Sequence, residues 1–440
     1  MKGIIIEADY VVTCNSTDEV VRDGAVYVEG NKIKAVGKRD TIANYYPSSR
    51  IISGKNKILL PGLVNTHSHS VQTLLRGKAE DLSLIDWLQK VILPGERSFS
   101  SDNVYTSCAL GFAEMIRTGT TTCNDMLTAY HSEEGIGAAI DIGIRTRIGK
   151  MLMDVDINNK KEKLENTYDI IAEVKDHIKK YHNSQNGRIK YSLNLRFLLN
   201  NSTELIAEVV KLQQEYNDIL IHTHASENRN ESKLVTQQFG KSYIRALNEL
   251  NVLGENTILA HAIWLDEEEY KLIKESGTKI SHNPSSNSKL ASGIADISKF
   301  QELGVIVGLA TDGAPCNNNL DMFREIRLAS FLQRIKYLNE KKLPAKSVLR
   351  MATIEGAKAL HMDKEIGSIE IGKKADLIQL DISDVNAIPL YDPITHIVYS
   401  ASGKDIVLTM IDGRIVYENG VFHTIDIEKL KDKTEQYLKS

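Results

Sequence analysis

The chain has 440 residues, 42% of them hydrophobic, and a formal net charge of −4. That is enough apolar material for a large buried core, with no basic stripe for nucleic acid and no polybasic patch for a membrane. No apolar run nears the length of a bilayer span, the isoleucines at 4–6 meet Glu7 too soon for a signal peptide, and a soluble cytoplasmic protein acting on a small molecule is expected.

From the amino end, residues 10–14, 24–29 and 32–36 read as short strands separated by glycine- and asparagine-type turns, a small antiparallel unit within residues 1–57. Short apolar, β-branched runs then recur at 58–64, 120–124, 144–149, 189–197, 218–222, 257–261, 278–282 and 305–310. Helical periodicity lies between them, as in Leu164, Tyr168, Ile171, Val174 and Ile178, or Leu205, Val209, Leu212 and Tyr216. The lysine-rich stretch at 159–163 reads as the solvated start of the first of these helices. Eight βα units within residues 58–365 are the number that closes a parallel (β/α)8 barrel of the TIM type. Strand texture returns within 366–440, at 375–380, 394–399, 406–411 and 413–417, before a terminal helix. The predicted fold is therefore α/β, a (β/α)8 barrel with a small β-sandwich built from both chain ends.

Four cysteines, Cys14, Cys108, Cys123 and Cys316, are far apart and form no C-x-x-C pair, so a metal site here must use histidine and carboxylate. His67-Ser68-His69 follows the 58–64 run directly, and residues i and i+2 of an extended segment point the same way, so both rings can reach one cation in the barrel mouth. Four later runs each end in a residue of ligand type: His224, His261, His282 and Asp312. Together they point to one shared site on the catalytic rim.

These residues, with Pro61-Gly62-Leu63-Val64-Asn65-Thr66 before the His pair, Thr73-Leu74-Leu75-Arg76-Gly77, His224-Ala225-Ser226-Glu227, Ser281-His282-Asn283-Pro284, Thr311-Asp312-Gly313 and Gly367-Ser368-Ile369-Glu370, resemble the amidohydrolase superfamily. The resemblance is to its branch of methylthioadenosine/S-adenosylhomocysteine deaminases, triazine hydrolases and guanine deaminases, and it covers nearly the whole chain. It implies that His67, His69, His224 and Asp312 hold one divalent metal, zinc in the first instance and Fe2+ as an alternative. It further implies that Asp312 accepts a proton from water, that Glu227 protonates a ring nitrogen and that His261 polarises the attacking water or the developing oxyanion. Binuclear members of the superfamily need a strand-four lysine as a carbamate bridge, and Tyr191-Ser192-Leu193-Asn194-Leu195-Arg196-Phe197 offers none, so one metal is expected. His222 is read as structural.

For the substrate the resemblance divides. Thr73–Gly77 and Asn317-Asn318-Asn319 look like adenosine-type deaminases, with Asp86-Trp87 placed for ribose hydroxyls and ring stacking. Arg196-Phe197 and Gln72 look like the guanine and pterin deaminases, where they would bind a ring carbonyl, unless Arg196 simply pairs with a carboxylate. Lys150 stands where some relatives bind a carboxylate-bearing substrate with arginine. A zinc-dependent deaminase of a purine or related heteroaromatic is expected, acting as a homodimer or larger assembly. A triazine-type hydrolase expelling chloride or an alkylamine is the alternative, and a non-catalytic scaffold a remote one.

Overall fold

The computed structural model describes residues 3–157 and 164–439, so the lysine-rich stretch at 159–163 lies outside the described residues. Strands β1 (Ile4–Val12), β2 (Val20–Glu29), β3 (Lys32–Lys38), β4 (Arg50–Ile52) and β5 (Lys57–Pro61) form the amino-terminal part of one sheet. The barrel follows in β6 (Leu63–His69), β7 (Thr120–Met126), β8 (Arg145–Gly149), β9 (Met151–Leu152), β10 (Ile189–Leu195), β11 (Leu220–Ala225), β12 (Thr257–His261), β13 (Lys279–His282), β14 (Val307–Leu309) and β15 (Asp312–Gly313). All of their pairings are parallel. Two barrel strands are broken, β8/β9 at Lys150 and β14/β15 at Ala310-Thr311. The ring closes because β14 pairs with β13 while β15 pairs with β6, Asp312 lying opposite Ser68. Strand and helix alternate as the periodicity predicts, and the expected barrel is present.

The sequence expectation fails in two places. The run at 58–64 is not one barrel strand, because β5 pairs antiparallel with β16 (Leu377–Asp381) and only β6 enters the barrel. The break falls at Gly62, whose N–H bonds to the Asp376 carbonyl and where a Cβ would lie 2.0 Å from the Thr121 side chain. Residues 394–399 are not a strand but a helix, Pro393–Tyr399. Asp392 caps it through the N–H groups of Ile394 and Thr395, and proline occupies its first turn, so the capping signal outweighs the β-branched residues within it. The expected β-unit from both chain ends is present, and it differs only in being one curled sheet rather than two separate ones. With β17 (Ile406–Ile411), β18 (Arg414–Glu418) and β19 (Val421–Phe422), the terminal strands make a single nine-stranded sheet in the order β19-β18-β17-β16-β5-β1-β2-β3, with β4 beside β1. That sheet curls so that Ile6, Val26 and Ile33 from one half pack with Leu377, Leu408 and Met410 from the other, giving it a core of its own.

Barrel and sheet are tied by a buried ion pair. Arg145 Nε and Nη2 donate to the two oxygens of Asp376 at 2.6 and 2.9 Å, and Asp376 also accepts the Asp412 N–H. Both partners are almost fully buried, so removing one strands an uncompensated charge. Arg145→Ala is expected to destabilise the fold by about 3 kcal/mol, read as a lower denaturation midpoint in urea.

Candidate metal centre and active site

Every functional side chain is delivered by a strand end at the same rim. β6 carries His67 and His69, β11 carries His224, β12 ends on His261 and β15 begins with Asp312. Three turns there hold side-chain-bearing residues in the left-handed region: Ser226 at φ +50°, His261 at +74° and Asp312 at +62°. Such conformations cost energy and persist where packing dictates them. For Asp312 the fastening is visible, since Asn65 bonds both the N–H and the hydroxyl of Thr311.

Three imidazoles meet through the same atom. The Nδ1 of His69 faces the Met126 carbonyl at 3.0 Å and that of His224 the Arg196 carbonyl at 2.5 Å. A carbonyl can only accept, so each Nδ1 carries the proton and each Nε2 presents a lone pair. His67 reaches the same state through a longer chain. Asn194 uses its amide N–H groups on the carbonyls of Gly149 and Asp125, so its Oδ1 accepts from His222 Nδ1 at 3.2 Å. His222 Nε2 then accepts from His67 Nδ1 at 2.8 Å, and His67 Nε2 is left buried with no hydrogen bond.

The lone pairs converge. His69 Nε2 and His224 Nε2 are 3.2 Å apart, and Asp312 Oδ1 lies 3.3 Å from His67 Nε2 and 3.6 Å from His69 Nε2. Burial holds His69 down to about 3 and lowers His67 and His224 as well, so the rings are neutral. Burial pushes the Asp312 carboxyl up, but the surrounding imidazoles hold it well below its usual range. Three neutral nitrogen donors and one carboxylate, aimed together with no proton between them, fit a divalent cation and zinc in particular.

Beside this centre stand the two other expected catalytic groups. His261 Nε2 is 3.7 Å from Asp312 Oδ2 and 3.5 Å from Glu227 Oε2, while its Nδ1 bonds Asn287 Oδ1 at 2.7 Å. Glu227 is buried, and burial pushes its carboxyl up from the usual carboxylate range. Both line a cavity together with His69, His224 and Asp312, under an apolar wall of Leu84, Trp87, Leu88, Phe197 and Leu290.

Of the residues expected to bind substrate, Trp87 and Arg196 reach the cavity wall. Asp86 does not: it is half exposed and pairs with Lys90 at 2.7 Å and the Ser83 hydroxyl at 2.9 Å. Arg196 does pair with a carboxylate, donating through Nη1 to Glu96 at 3.3 Å, and Gln72 Nε2 donates to the other oxygen of Glu96 at 2.8 Å. Glu96 is buried and went unnoticed in the sequence, because no motif marks it and its partners come from distant segments. His222 likewise proves to be the support of His67. Lys150 is buried between Glu165 and Glu173, at 2.9 and 2.5 Å. His282 is buried, and neither of its ring nitrogens has a hydrogen-bond partner. Removing the support of His67 with His222→Ala is expected to weaken zinc binding about 10- to 100-fold, measured by competition with a chromophoric chelator.

A model of the amidohydrolase family matches residues 58–416. The 5'-deoxyadenosine deaminase of Methanosphaera stadtmanae is 38% identical over 408 residues, 93% of each chain. The 5-methylthioadenosine/S-adenosylhomocysteine deaminase of Carboxydothermus hydrogenoformans is 37% identical over 428 residues, 97% of this chain and 96% of that one. A solved adenosine deaminase from Xanthomonas campestris with bound zinc matches with a TM-score of 0.93 and 30% identity, covering 99% of this chain and 98% of that one. With its barrel matched by the family model and its relatives aligned almost end to end, the chain belongs to the amidohydrolase family.

Proposed function

We propose that this protein is a zinc-dependent deaminase of adenosine-type nucleosides, exchanging the amine on the purine ring for oxygen and releasing ammonia. The observation that carries the reading is the buried Glu227 on the wall of the same cavity as His69, His224, His261 and Asp312. His67, His69, His224 and Asp312 would hold the metal, which when bound would supply Lewis acidity to activate water at neutral pH. Asp312 accepts the proton of the attacking water and His261 Nε2, facing both carboxylates, holds charge that develops on oxygen. Glu227 gives its proton to the ring nitrogen, which makes the amine-bearing carbon electrophilic, and later helps ammonia depart. Leu84, Trp87 and Leu88 give the ring an apolar surface and exclude bulk water.

The choice of an adenosine-type over a guanine- or pterin-type ring rests on Glu96. Gln72 and Arg196 both donate to it, so the pair serves to hold a buried carboxylate rather than a ring carbonyl. The names of the most similar relatives support the same class. The Lys150 ammonium is already paired with two glutamates, which favours 5'-deoxyadenosine and methylthioadenosine over a substrate carrying a free carboxylate. No helix among the described residues is long and apolar enough to cross a membrane, and the four cysteines are buried free thiols, which supports a cytoplasmic setting.

Zinc-loaded protein incubated with adenosine, 5'-deoxyadenosine, methylthioadenosine, S-adenosylhomocysteine, guanine, isoxanthopterin and an aminotriazine is expected to release ammonia from the adenosine-type nucleosides. Preferential turnover of guanine or the pterin would refute the ring assignment, and turnover of the triazine alone would refute the class. Glu227→Gln is expected to lower kcat by about 10²- to 10⁴-fold with zinc content unchanged. Because burial raises the Glu227 carboxyl, activity that depends on its proton persists at low pH and falls as pH climbs through that raised value.

A further inference from the structure

We infer that Ser292 is the positioning residue of the acid Glu227, and that it decides which carboxyl oxygen carries the proton. Ser292 Oγ donates to Glu227 Oε1 at 3.2 Å, and the residue is only 2% exposed. An oxygen that accepts that bond is the poorer place for the acid's own proton, which is left on Oε2. Oε2 is the oxygen that stands 3.5 Å from His261 Nε2. Without the serine, a buried carboxylic acid is free to protonate either oxygen and to rotate between them.

The serine is itself held on several sides. Its N–H bonds the Asn287 carbonyl at 2.9 Å, and its carbonyl accepts the indole N–H of Trp264 at 2.8 Å. The next residue is Gly293 at φ +131°, where a Cβ would lie 2.8 Å from the Trp264 ring. Trp264 is fixed in turn by its own N–H on the Ser226 carbonyl at 3.1 Å and by the Arg229 guanidinium 3.9 Å above its ring. Ser226 and Arg229 flank Glu227, so the chain on both sides of the acid returns through Trp264 and Ser292 to its carboxylate. The same short segment orients the neighbouring histidine, since Asn287 bonds His261 Nδ1. One stretch of chain therefore sets the rotation of both the acid and its partner.

The kinetic test rests on the deaminase reading, and a spectroscopic one does not. In Ser292→Ala, kcat is expected to fall about tenfold with KM and zinc content unchanged, because the lost bond orients the acid and binds no substrate itself. Ser292→Thr, which keeps the hydroxyl, is expected to restore most of the loss. A kcat within twofold of the parent, a loss confined to KM, or a fall that tracks lost zinc would overturn the inference. Should the parent release no ammonia from any nucleoside, infrared spectroscopy decides. The Glu227 carboxyl band, identified by its absence in Glu227→Gln, is expected to move in Ser292→Ala and to return in Ser292→Thr. An unmoved band sinks the assignment whatever the substrate.

Discussion

Three imidazole lone pairs and a carboxylate oxygen share one small volume with no hydrogen between them, and much else in the barrel mouth answers to that constraint. Unprotonated nitrogens 3.2 Å apart repel each other. They stay aimed inward because every ring is gripped from behind, at Nδ1, by an acceptor that fixes the tautomer. Two of those acceptors are backbone carbonyls at strand ends, so the tautomer follows from the fold itself. The third, His222, is a side chain whose own state depends on Asn194 and on two further carbonyls.

The barrel was legible because its strands are short apolar runs at regular intervals, separated by helical periods long enough to cross over. The terminal sheet was harder to read, since its pairings join segments from opposite ends of the sequence. Nothing local distinguishes Leu60, which pairs with Ile378 in that sheet, from Val64, which belongs to the barrel. The division at Gly62 follows from a close approach to Thr121 that only the folded chain contains. The helix at Pro393–Tyr399 had a local sign, the Asp-Pro pair at its start, which its β-branched residues obscured.

At the site, the residues legible in advance are those placed by strand ends: His67, His69, His224, His261, Asp312 and, one turn on, Glu227. Those that escaped are defined by partners. Pairing with a carboxylate was one reading of Arg196, but the partner, Glu96, lies 100 positions away in sequence, and Asp86 looked like a ligand until Lys90 claimed it. Spacing says where a side chain starts from, whereas the hydrogen bonds it makes decide what remains for a substrate.

The passage from β5 through Gly62 into β6 joins the terminal sheet to the strand that bears His67 and His69. β5 is sandwiched between β1, which precedes it, and β16, which a ribosome makes only after the entire barrel. During synthesis β5, the strand that leads into the metal-site strand, is thus paired on one side only until residues 377–381 emerge. The sheet cannot behave as a detachable cassette: exchanging it for another module would change the footing of the strand that carries the first two ligands, and a nascent chain completes that footing only late in translation.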